Sequence, residues 1–186
     1  MKNYLFKLGG KAKKASIEIV KSKKKDKVLI DYCNLILKNH LKIISENKKD
    51  LEKAKKQKLK ENLIKRLSID KDKLLQIINS IKVIIKLKDP VNITLNKWKR
   101  PSGLKIKKVT TSIGVIAVIY ESRPNVTSDV ASLCFKSGNA VILKGGSEAI
   151  NTNRILAKLF RKALKKNRVD ENYVQFIDTK NKKMVR

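Results

Sequence analysis

Apolar residues recur at spacings of three and four along most of the first ninety residues, which is the pattern of amphipathic helices. A first stripe predicts one helix and consists of Leu5, Leu8, Ala12, Ala15 and Ile19. After the lysines at 23–25, a second stripe is formed by Leu29, Tyr32, Cys33, Ile36, His40, Ile43 and Ile44. A lysine-rich, weakly patterned segment follows at about 50–65. This half of the chain is therefore predicted to be helical.

The clearest predicted helix runs from about Asp70 to Leu87. Its inner face is formed by residues spaced for one side of a helix, namely Leu74, Ile77, Ile78, Ile81, Ile84 and Ile85. Asp70 and Asp72 lie in the first turn, where carboxylates suit the positive end of the helix dipole. Asp89-Pro90 stops the helix, because the residue before a proline disfavours the helical conformation.

The pattern changes at Trp98, where WKRPSG carries the Pro-x-Gly punctuation of a tight turn. Beyond this turn β-branched residues dominate and the helical period disappears. Leu104, Ile106 and Val109 predict one strand. The continuous apolar run at 115–120 predicts a strand that is buried on both faces of a sheet.

The helical period returns at Asn125 and is expected to end at Gly138. One face of this helix holds Val126, Val130, Leu133 and Cys134. Candidates for its N-cap are Asn125, Thr127 and Ser128. A second buried strand is predicted at 140–143, followed by a long helix that Ser147 caps and that runs to about Lys166. A third strand is predicted at 174–177.

The order strand-helix-strand-helix-strand with short connections predicts a parallel sheet with right-handed crossovers. We therefore expect an α/β fold with a helical region at 1–97 and an incomplete Rossmann-like domain at 98–186. Ligands in this architecture bind beyond the carboxyl ends of the strands. Two loops lie at that edge, Glu121–Asn125 and Lys144–Glu148, and a site is expected there.

The second of these loops, Lys144-Gly145-Gly146-Ser147, leaves a strand and enters a helix. Glycines allow the backbone to approach a ligand, and a helix N-terminus offers free N–H groups to a phosphate. The sequence is neither GxGxxG nor a Walker loop. Turns of this kind are common and most of them bind nothing, so the pattern leaves phosphate binding and a simple connection both open.

The first loop concentrates polar residues directly after a buried strand. Arg123, one of only seven arginines in the chain, stands beside Pro124 and has the fork geometry to bind an anionic substrate. Asn125 could donate its amide to an oxyanion. The alternative is that Asn125 only caps the helix and Arg123 only forms a surface ion pair.

Charge is the strongest feature of the composition, since 46 Lys and Arg against 16 Asp and Glu give a net charge of +30. Such an excess invites an interpretation as a nucleic-acid-binding protein. Arginines are few, aromatic residues make up only 5%, and the lysines are spread over every helical segment, which is atypical of specific recognition. We therefore attribute most of the charge to solvated surface and expect no specific nucleic-acid partner.

The apolar pattern gives no membrane-spanning segment, because no stretch approaches 18 apolar residues. The basic start lacks the apolar core of a signal peptide. Two cysteines argue against a disulfide framework, so a reducing cytoplasm is the expected location.

One stretch is familiar as a whole: GVIAVIYESRPNVTSDVASLCFKSGNAVILKGGSEA. It resembles the signature region of the gamma-glutamyl phosphate reductase (glutamate-5-semialdehyde dehydrogenase) family, a branch of the aldehyde dehydrogenase superfamily. WKRPSGL and YVQFID resemble the same family in the same order, so the resemblance extends through all 186 residues. It implies a partial aldehyde dehydrogenase-like fold and NADPH-dependent reduction of L-glutamyl 5-phosphate, with phosphate release, in proline biosynthesis. Gamma-glutamyl phosphate is the implied substrate, and a homo-oligomer is an open option.

The resemblance also implies roles for residues of the two loops. Asn125 matches the asparagine that stabilises the oxyanion, and Lys144 matches the lysine that holds the adenosine ribose of the cofactor. Cofactor binding is accordingly expected at Lys144, Gly145, Gly146, Ser147 and Glu148. The superfamily more often has Lys-Pro-Ser/Ala-Glu here, so the extra residue leaves the role of Glu148 open. Arg123 is peculiar to this branch and is our candidate for binding the acidic substrate.

The chemistry of the family requires a cysteine nucleophile, which the resemblance places in a second, catalytic domain beyond Arg186. Cys33 and Cys134 lie on apolar helix faces and are expected to be inert core residues. His40 has no metal-ligating partners at useful spacing, and no metal is expected. We therefore expect a truncated, inactive form of the oxidoreductase. The alternatives are a non-catalytic cofactor-binding or docking fragment and a basic nucleic-acid-binding protein.

Overall fold

The structure, a computed structural model, describes residues 2–18 and 20–178. The first half is helical, as predicted, and comprises α1 (Lys2–Ile17), α2 (Ser22–Lys38), α3 (His40–Lys56), α4 (Glu61–Leu67) and α5 (Lys71–Lys86). Leu8, Ala12 and Ala15 of the first predicted stripe are buried on α1. Ile19, the last member of that stripe, and residues 179–186 of the predicted second domain lie outside the described residues.

The second predicted stripe is divided between two helices. The chain turns at Asn39, whose Nδ2 donates to the Leu35 carbonyl at 2.7 Å and helps to end α2. Ile36 and Ile43 lie on either side of this turn and are both fully buried. The apolar pattern is therefore continuous in space, although the helix is not. The weakly patterned segment that follows contains the rest of α3 and the short α4.

Helix α5 forms as predicted. Asp70 is its N-cap, and the carboxylate accepts a hydrogen bond from the Lys73 N–H at 2.7 Å. All the predicted inner residues are buried except Ile85, which is half-buried. A side-chain cap at this position contributes about 1 kcal/mol, so local sequence and packing favour the same helix.

Two antiparallel strands, β1 (Thr94–Lys99) and β2 (Lys105–Val109), form a hairpin in which Trp98 is paired with Ile106. The predicted turn is present, and Gly103 has a φ of 85°, which favours glycine. Strand β1 was not predicted, because the TLNKWK segment is exposed at every position and has no buried face. The predicted boundary after residue 97 falls within this strand.

A three-stranded parallel sheet follows, in the predicted order of strands and helices. It is built from β3 (Val115–Ile119), α6 (Pro124–Lys136), β4 (Ala140–Lys144), α7 (Ile150–Lys166) and β5 (Val174–Phe176). The spatial order is β3-β4-β5 with both pairs parallel. The predicted α/β fold class is therefore confirmed.

The prediction that the first parallel strand is buried on both faces is wrong. Ala117 is exposed and Ile119 is 66% exposed, whereas Ile116 and Val118 are half-buried against the core. The physical reason is position, since β3 lies at one edge of the described sheet. The central strand β4 contacts both α1 and α6, and four of its five residues are buried.

One hydrophobic cluster joins the helical half to the sheet. Its aromatic centre is a row of tilted and edge-to-face rings in which Tyr32 contacts Phe160, Phe160 contacts Phe135, and Phe135 contacts Tyr173. These rings come from α2, α6, α7 and the turn before β5, so the two halves of the chain share a core. None of the described helices is long and apolar enough to cross a membrane.

Two lysines are part of this packed interior. Lys25 donates to both carboxylate oxygens of Asp89, at 2.8 and 3.0 Å, and to the Lys136 carbonyl. Lys136 in turn donates to Asp26 and to the Ile85 carbonyl. These two lysines are exceptions to the expectation that most of the charge is solvated surface, and each buried ammonium is paired with a carboxylate and a carbonyl.

Candidate functional site

The two loops predicted to form the site leave neighbouring strands at the same edge of the sheet. Ile119 is paired with Lys144, and the Tyr120 N–H donates to the Lys144 carbonyl at 3.1 Å. Beyond the strands, the Glu148 carboxylate joins the loops by accepting from Ser122 Oγ at 2.6 Å and from Ser147 Oγ at 2.9 Å. The sequence left the role of Glu148 open, and the structure shows a bridge between the loops.

The two glycines of the second loop are required by packing. A Cβ at Gly145 would lie 2.3 Å from Asn153 Nδ2 and 3.0 Å from the Tyr120 ring. A Cβ at Gly146 would lie 2.7 Å from both Glu148 Oε2 and Ser122 Oγ. A side chain at Gly145 would therefore collide with Asn153 and Tyr120, and one at Gly146 would collide with Ser122 of the first loop. The sequence pattern did not reveal this structural reason for glycine.

Both loops line one cavity of about 450 Å³, which we call the loop cleft. The lining includes Lys144, Gly145, Gly146, Ser147 and Glu148 from the second loop and Glu121, Ser122 and Arg123 from the first. Lys144 is 9% exposed, and its Nζ donates to the Gly145 carbonyl at 3.3 Å. Leu63 and Arg66 of α4 complete the wall. These two residues were not predicted, because α4 is seven residues long and lies in the weakly patterned segment.

A second cavity, of about 310 Å³, lies beside the first between α5 and α6, and we call it the α5–α6 cleft. Asn125 lines this cleft, and its Nδ2 donates to Asp129 Oδ2 at 3.2 Å. Arg66 and Arg123 line both clefts. The predicted residues therefore divide between two adjoining cavities, with the ammonium of Lys144 on one and the amide of Asn125 on the other.

The start of α6 differs from the prediction. Arg123 is the N-cap without a side-chain cap bond, and Pro124 is the first helical residue. The three predicted caps are wrong, because Asn125, Thr127 and Ser128 lie inside the helix. The fixed φ of proline suits the first helical position, and this signal was available in the sequence.

The two hydroxyl residues near the start of α6 serve a buried network. Thr127 Oγ1 accepts from the Tyr120 hydroxyl at 2.6 Å and donates to Asn153 Oδ1 at 2.9 Å. Ser128 Oγ pairs with the Tyr32 hydroxyl at 2.7 Å. Burial raises the pKa of Tyr120 to about 12, so this network remains protonated at neutral pH. It fixes the end of β3 against α6 and α7.

The start of α7 also differs from the prediction. Residues Ser147–Ala149 form a 3-10 turn, and α7 begins at Ile150 without a side-chain cap from its own loop. The prediction that Ser147 caps this helix is therefore wrong, because the extra turn moves the helix start beyond its reach.

Asp50 of α3 takes the place of the missing cap. Its carboxylate accepts hydrogen bonds from the backbone N–H groups of Asn151 and Thr152, at 3.2 and 2.8 Å, and from both side chains. Burial raises the pKa of Asp50, and these hydrogen bonds oppose the rise. The N–H groups expected to be free for a phosphate are thus occupied by a carboxylate that lies 101 and 102 residues upstream of them.

Asp129 has one buried carboxylate oxygen that the described part of the chain leaves unsatisfied. Its Oδ1 is buried and has no hydrogen-bond partner among the described residues. Burial raises the pKa of Asp129, and the hydrogen bond from Asn125 lowers it. A buried acceptor without a donor costs about 1–3 kcal/mol, so this position is suited to a donor supplied by a ligand.

The remaining candidates lie away from both clefts. Burial raises the pKa of the Cys33 and Cys134 thiols to about 11, so both are protonated at neutral pH. His40 is half-buried, and its Nδ1 lies 2.9 Å from the Leu37 carbonyl. Within the described part of the chain, no group of three side chains is arranged to hold a metal ion.

Two curated relatives of this chain carry the same name. It is 45% identical over 164 residues to gamma-glutamyl phosphate reductase of Sulfurihydrogenibium sp. (strain YO3AOP1), covering 88% of this chain and 37% of the relative. It is 42% identical over 187 residues to gamma-glutamyl phosphate reductase of Clostridium tetani, covering 100% and 44%. The chain thus spans less than half the length of these curated relatives. No protein-family profile matches it.

Solved structures agree with the sequence matches. The crystal structure of gamma-glutamyl phosphate reductase from Thermotoga maritima has a TM-score of 0.94 at 34% identity, covering 97% of this chain and 44% of the other. The enzyme of the same name from Saccharomyces cerevisiae has a TM-score of 0.87 at 34% identity, covering 94% and 46%. A probable aldehyde dehydrogenase from Listeria monocytogenes, with a TM-score of 0.70 at 13% identity, shares the fold alone.

Proposed function

This chain is homologous to the gamma-glutamyl phosphate reductases over less than half of their length, and we propose that it is the part of such an oxidoreductase that binds the nicotinamide cofactor. The proposed reaction of the whole enzyme reduces L-glutamyl 5-phosphate to L-glutamate 5-semialdehyde and releases phosphate, in proline biosynthesis. A cytoplasmic location follows from the same proposal, since both cysteines are free thiols.

One observation carries this proposal: two loops at the ends of neighbouring parallel strands line a single cleft and are held together by Glu148. The volume of about 450 Å³ lies within the range of small-molecule sites. Lys144 offers an ammonium group on the cleft wall, suited to ribose hydroxyls or a phosphate. NADPH, when bound, supplies the hydride, and the residues from Lys144 to Glu148 position its adenosine half.

Two residues of the first loop have proposed roles toward the substrate. Asn125 offers an amide N–H to the oxyanion that develops at the reacting carbonyl, because it lines the α5–α6 cleft and its Nδ2 makes a single hydrogen bond among the described residues, to Asp129. Arg123 lies on both clefts and provides a guanidinium for an acidic substrate.

We propose that the nucleophile comes from outside these 186 residues. Reduction of an acyl phosphate through a covalent enzyme intermediate requires a thiolate. The only two cysteines of the chain are buried core residues with raised pKa values. We therefore propose that the chain by itself binds the cofactor but does not turn over gamma-glutamyl phosphate. Robust NADPH consumption by the purified chain would contradict this.

Cofactor binding is tested by titrating the purified chain into NADPH and following the nicotinamide fluorescence. The net charge of +30 attracts any polyanion, so the titration is done at physiological ionic strength, where exposed charges are screened. We expect Lys144→Ala to weaken binding about tenfold, a loss of about 1.4 kcal/mol. The control Lys107→Ala removes an exposed lysine of β2 and should leave the affinity unchanged. Equal loss in both variants would show that binding is nonspecific and would overturn the proposal.

A further inference from the structure

Three cationic side chains line the α5–α6 cleft, namely Arg66, Lys73 and Arg123. The ammonium group of Lys73 is already hydrogen-bonded to backbone carbonyls. Lys73 donates from Nζ to the Lys65 carbonyl at 2.9 Å and to the Ser68 carbonyl at 2.7 Å. Arg66 and Arg123 form no ion pair within residues 2–18 and 20–178. Two guanidinium groups therefore lie at one cleft in a chain that otherwise uses lysine almost throughout. A planar guanidinium binds a carboxylate through two parallel hydrogen bonds, which a lysine ammonium cannot do.

Asp129 lines the same cleft and adds the opposite charge. One of its oxygens accepts from Asn125, and the other is buried with no partner among the described residues. A carboxylate in this condition is stabilised by a cationic donor. The arginines of the cleft do not supply that donor, since neither forms a hydrogen bond to Asp129 within the described residues.

Two of the ten residues that line the cleft are apolar. Ile69 and Ile77 line it and are 5% and 2% exposed, so they present methyl groups to whatever occupies the space. At about 310 Å³ the cleft is at the small end of ligand sites, which suits an amino acid rather than a dinucleotide. Arg123 and Arg66 also line the loop cleft, so a ligand here would lie directly beside the proposed cofactor.

We infer that the α5–α6 cleft recognises the α-amino acid end of the substrate, with Arg66 and Arg123 binding the α-carboxylate and Asp129 binding the α-ammonium. The two isoleucines contact the methylene groups between this end and the reacting carbonyl. This inference rests on the proposed function for the choice of substrate, and it assigns specificity to Arg66 and Asp129. It requires that a dicarboxylate without an ammonium group bind poorly.

The test uses the 186-residue chain labelled with ¹⁵N and follows its amide and arginine Nε–H signals by NMR at physiological ionic strength. The probes are L-glutamate, N-acetyl-L-glutamate and glutarate, of which only the first carries an ammonium group. We expect L-glutamate to bind about tenfold more tightly than either of the others, with saturable shifts of the Arg66 and Arg123 Nε–H signals.

Two variants test the recognition of the α-ammonium and of the α-carboxylate separately. Asp129→Asn keeps the shape of the side chain and should abolish the preference for L-glutamate while leaving the affinity for glutarate unchanged. Arg66→Gln should weaken all three ligands about tenfold. The control Arg100→Gln alters an exposed arginine in the β1–β2 turn and should change nothing. The dispersion of the amide spectrum reports whether each variant remains folded.

Three results would overturn the inference: equal binding of glutarate and L-glutamate to the unchanged chain, a preference that survives Asp129→Asn, or no saturable shift at all. The cofactor titration with Lys144→Ala is independent of these results. Selective binding of L-glutamate without NADPH binding would remove the proposed cofactor role and keep this cleft. NADPH binding without selectivity for L-glutamate would remove this inference and keep the cofactor role.

Discussion

Asp50→Ala is predicted to be among the most damaging single substitutions in this chain, although Asp50 lies in the lysine-rich segment with the weakest sequence pattern. The Asp50 side chain is fully buried, and its carboxylate accepts four hydrogen bonds from Asn151 and Thr152 at the start of α7. Two of the four donors are the backbone N–H groups that a helix N-cap normally satisfies.

The magnitude follows from these contacts. Loss of an N-cap costs about 0.5–2 kcal/mol, and each buried donor left without an acceptor costs about 1–3 kcal/mol. Water entering the vacated volume would satisfy some of the four donors. We therefore expect the free energy of unfolding to fall by about 3–4 kcal/mol, which is a large part of the usual 5–15 kcal/mol for a domain.

Urea unfolding followed by circular dichroism measures this loss. Asp50→Asn keeps the volume of the side chain but replaces one accepting oxygen with an NH₂ group. We therefore expect about half of the fall in the free energy of unfolding to remain. The control Glu52→Ala removes an exposed carboxylate from the same helix and should change stability by less than about 0.5 kcal/mol. A loss below about 1 kcal/mol for Asp50→Ala would refute the conclusion that this carboxylate holds the start of α7.

Two further outcomes follow from the buried titratable groups. Burial raises the pKa of Asp31, but the hydrogen bonds from Lys166 and Asn167 outweigh it and leave the pKa below the usual 3.8. Because the pKa of Asp31 is lower in the folded chain than in the unfolded one, its ionised form stabilises the fold above pH 3.8. This stabilisation is lost as the pH falls through the pKa that Asp31 has in the folded chain. Asp31→Asn should therefore lower the free energy of unfolding by about 1 kcal/mol at neutral pH. The difference in urea midpoint between the variant and the unchanged chain should vanish in acid. A difference that stays constant with pH would contradict this. With pKa values of about 11, Cys33 and Cys134 should resist iodoacetamide in the folded chain and react quickly in urea, as mass spectrometry would show. Rapid labelling of either thiol without urea would remove the case for an external nucleophile.

Features encoded by neighbouring residues were predictable from the sequence. The inner face of α5 and the buried strand β4 depend on spacing within a few residues. The order of the parallel strands follows from their short connections, and that order places the two loops at one edge of the sheet. For this reason the sequence alone predicts Arg123 and Lys144 as candidates.

Features that depend on contacts distant in sequence could not be predicted. Asp50 meets Thr152 across a separation of 102 residues, and nothing local marks Asp50 as a cap for another helix. Arg66 reaches the clefts only because α4 packs beside the loops. The exposed face of β3 has the same origin, since the apolar run of a strand does not reveal whether the strand lies at the edge or the centre of a sheet.

The most direct test of the account is to map NADPH onto the ¹⁵N-labelled chain by NMR at physiological ionic strength. We predict saturable shifts concentrated in the amides of residues 121–123 and 144–148, which Lys144→Ala weakens. The proposal would be contradicted by shifts that are spread along the exposed lysines of α7, such as Lys158 and Lys162, and that become smaller as salt is added. That result would mean that NADPH is attracted by net charge alone and that the loop cleft holds no cofactor.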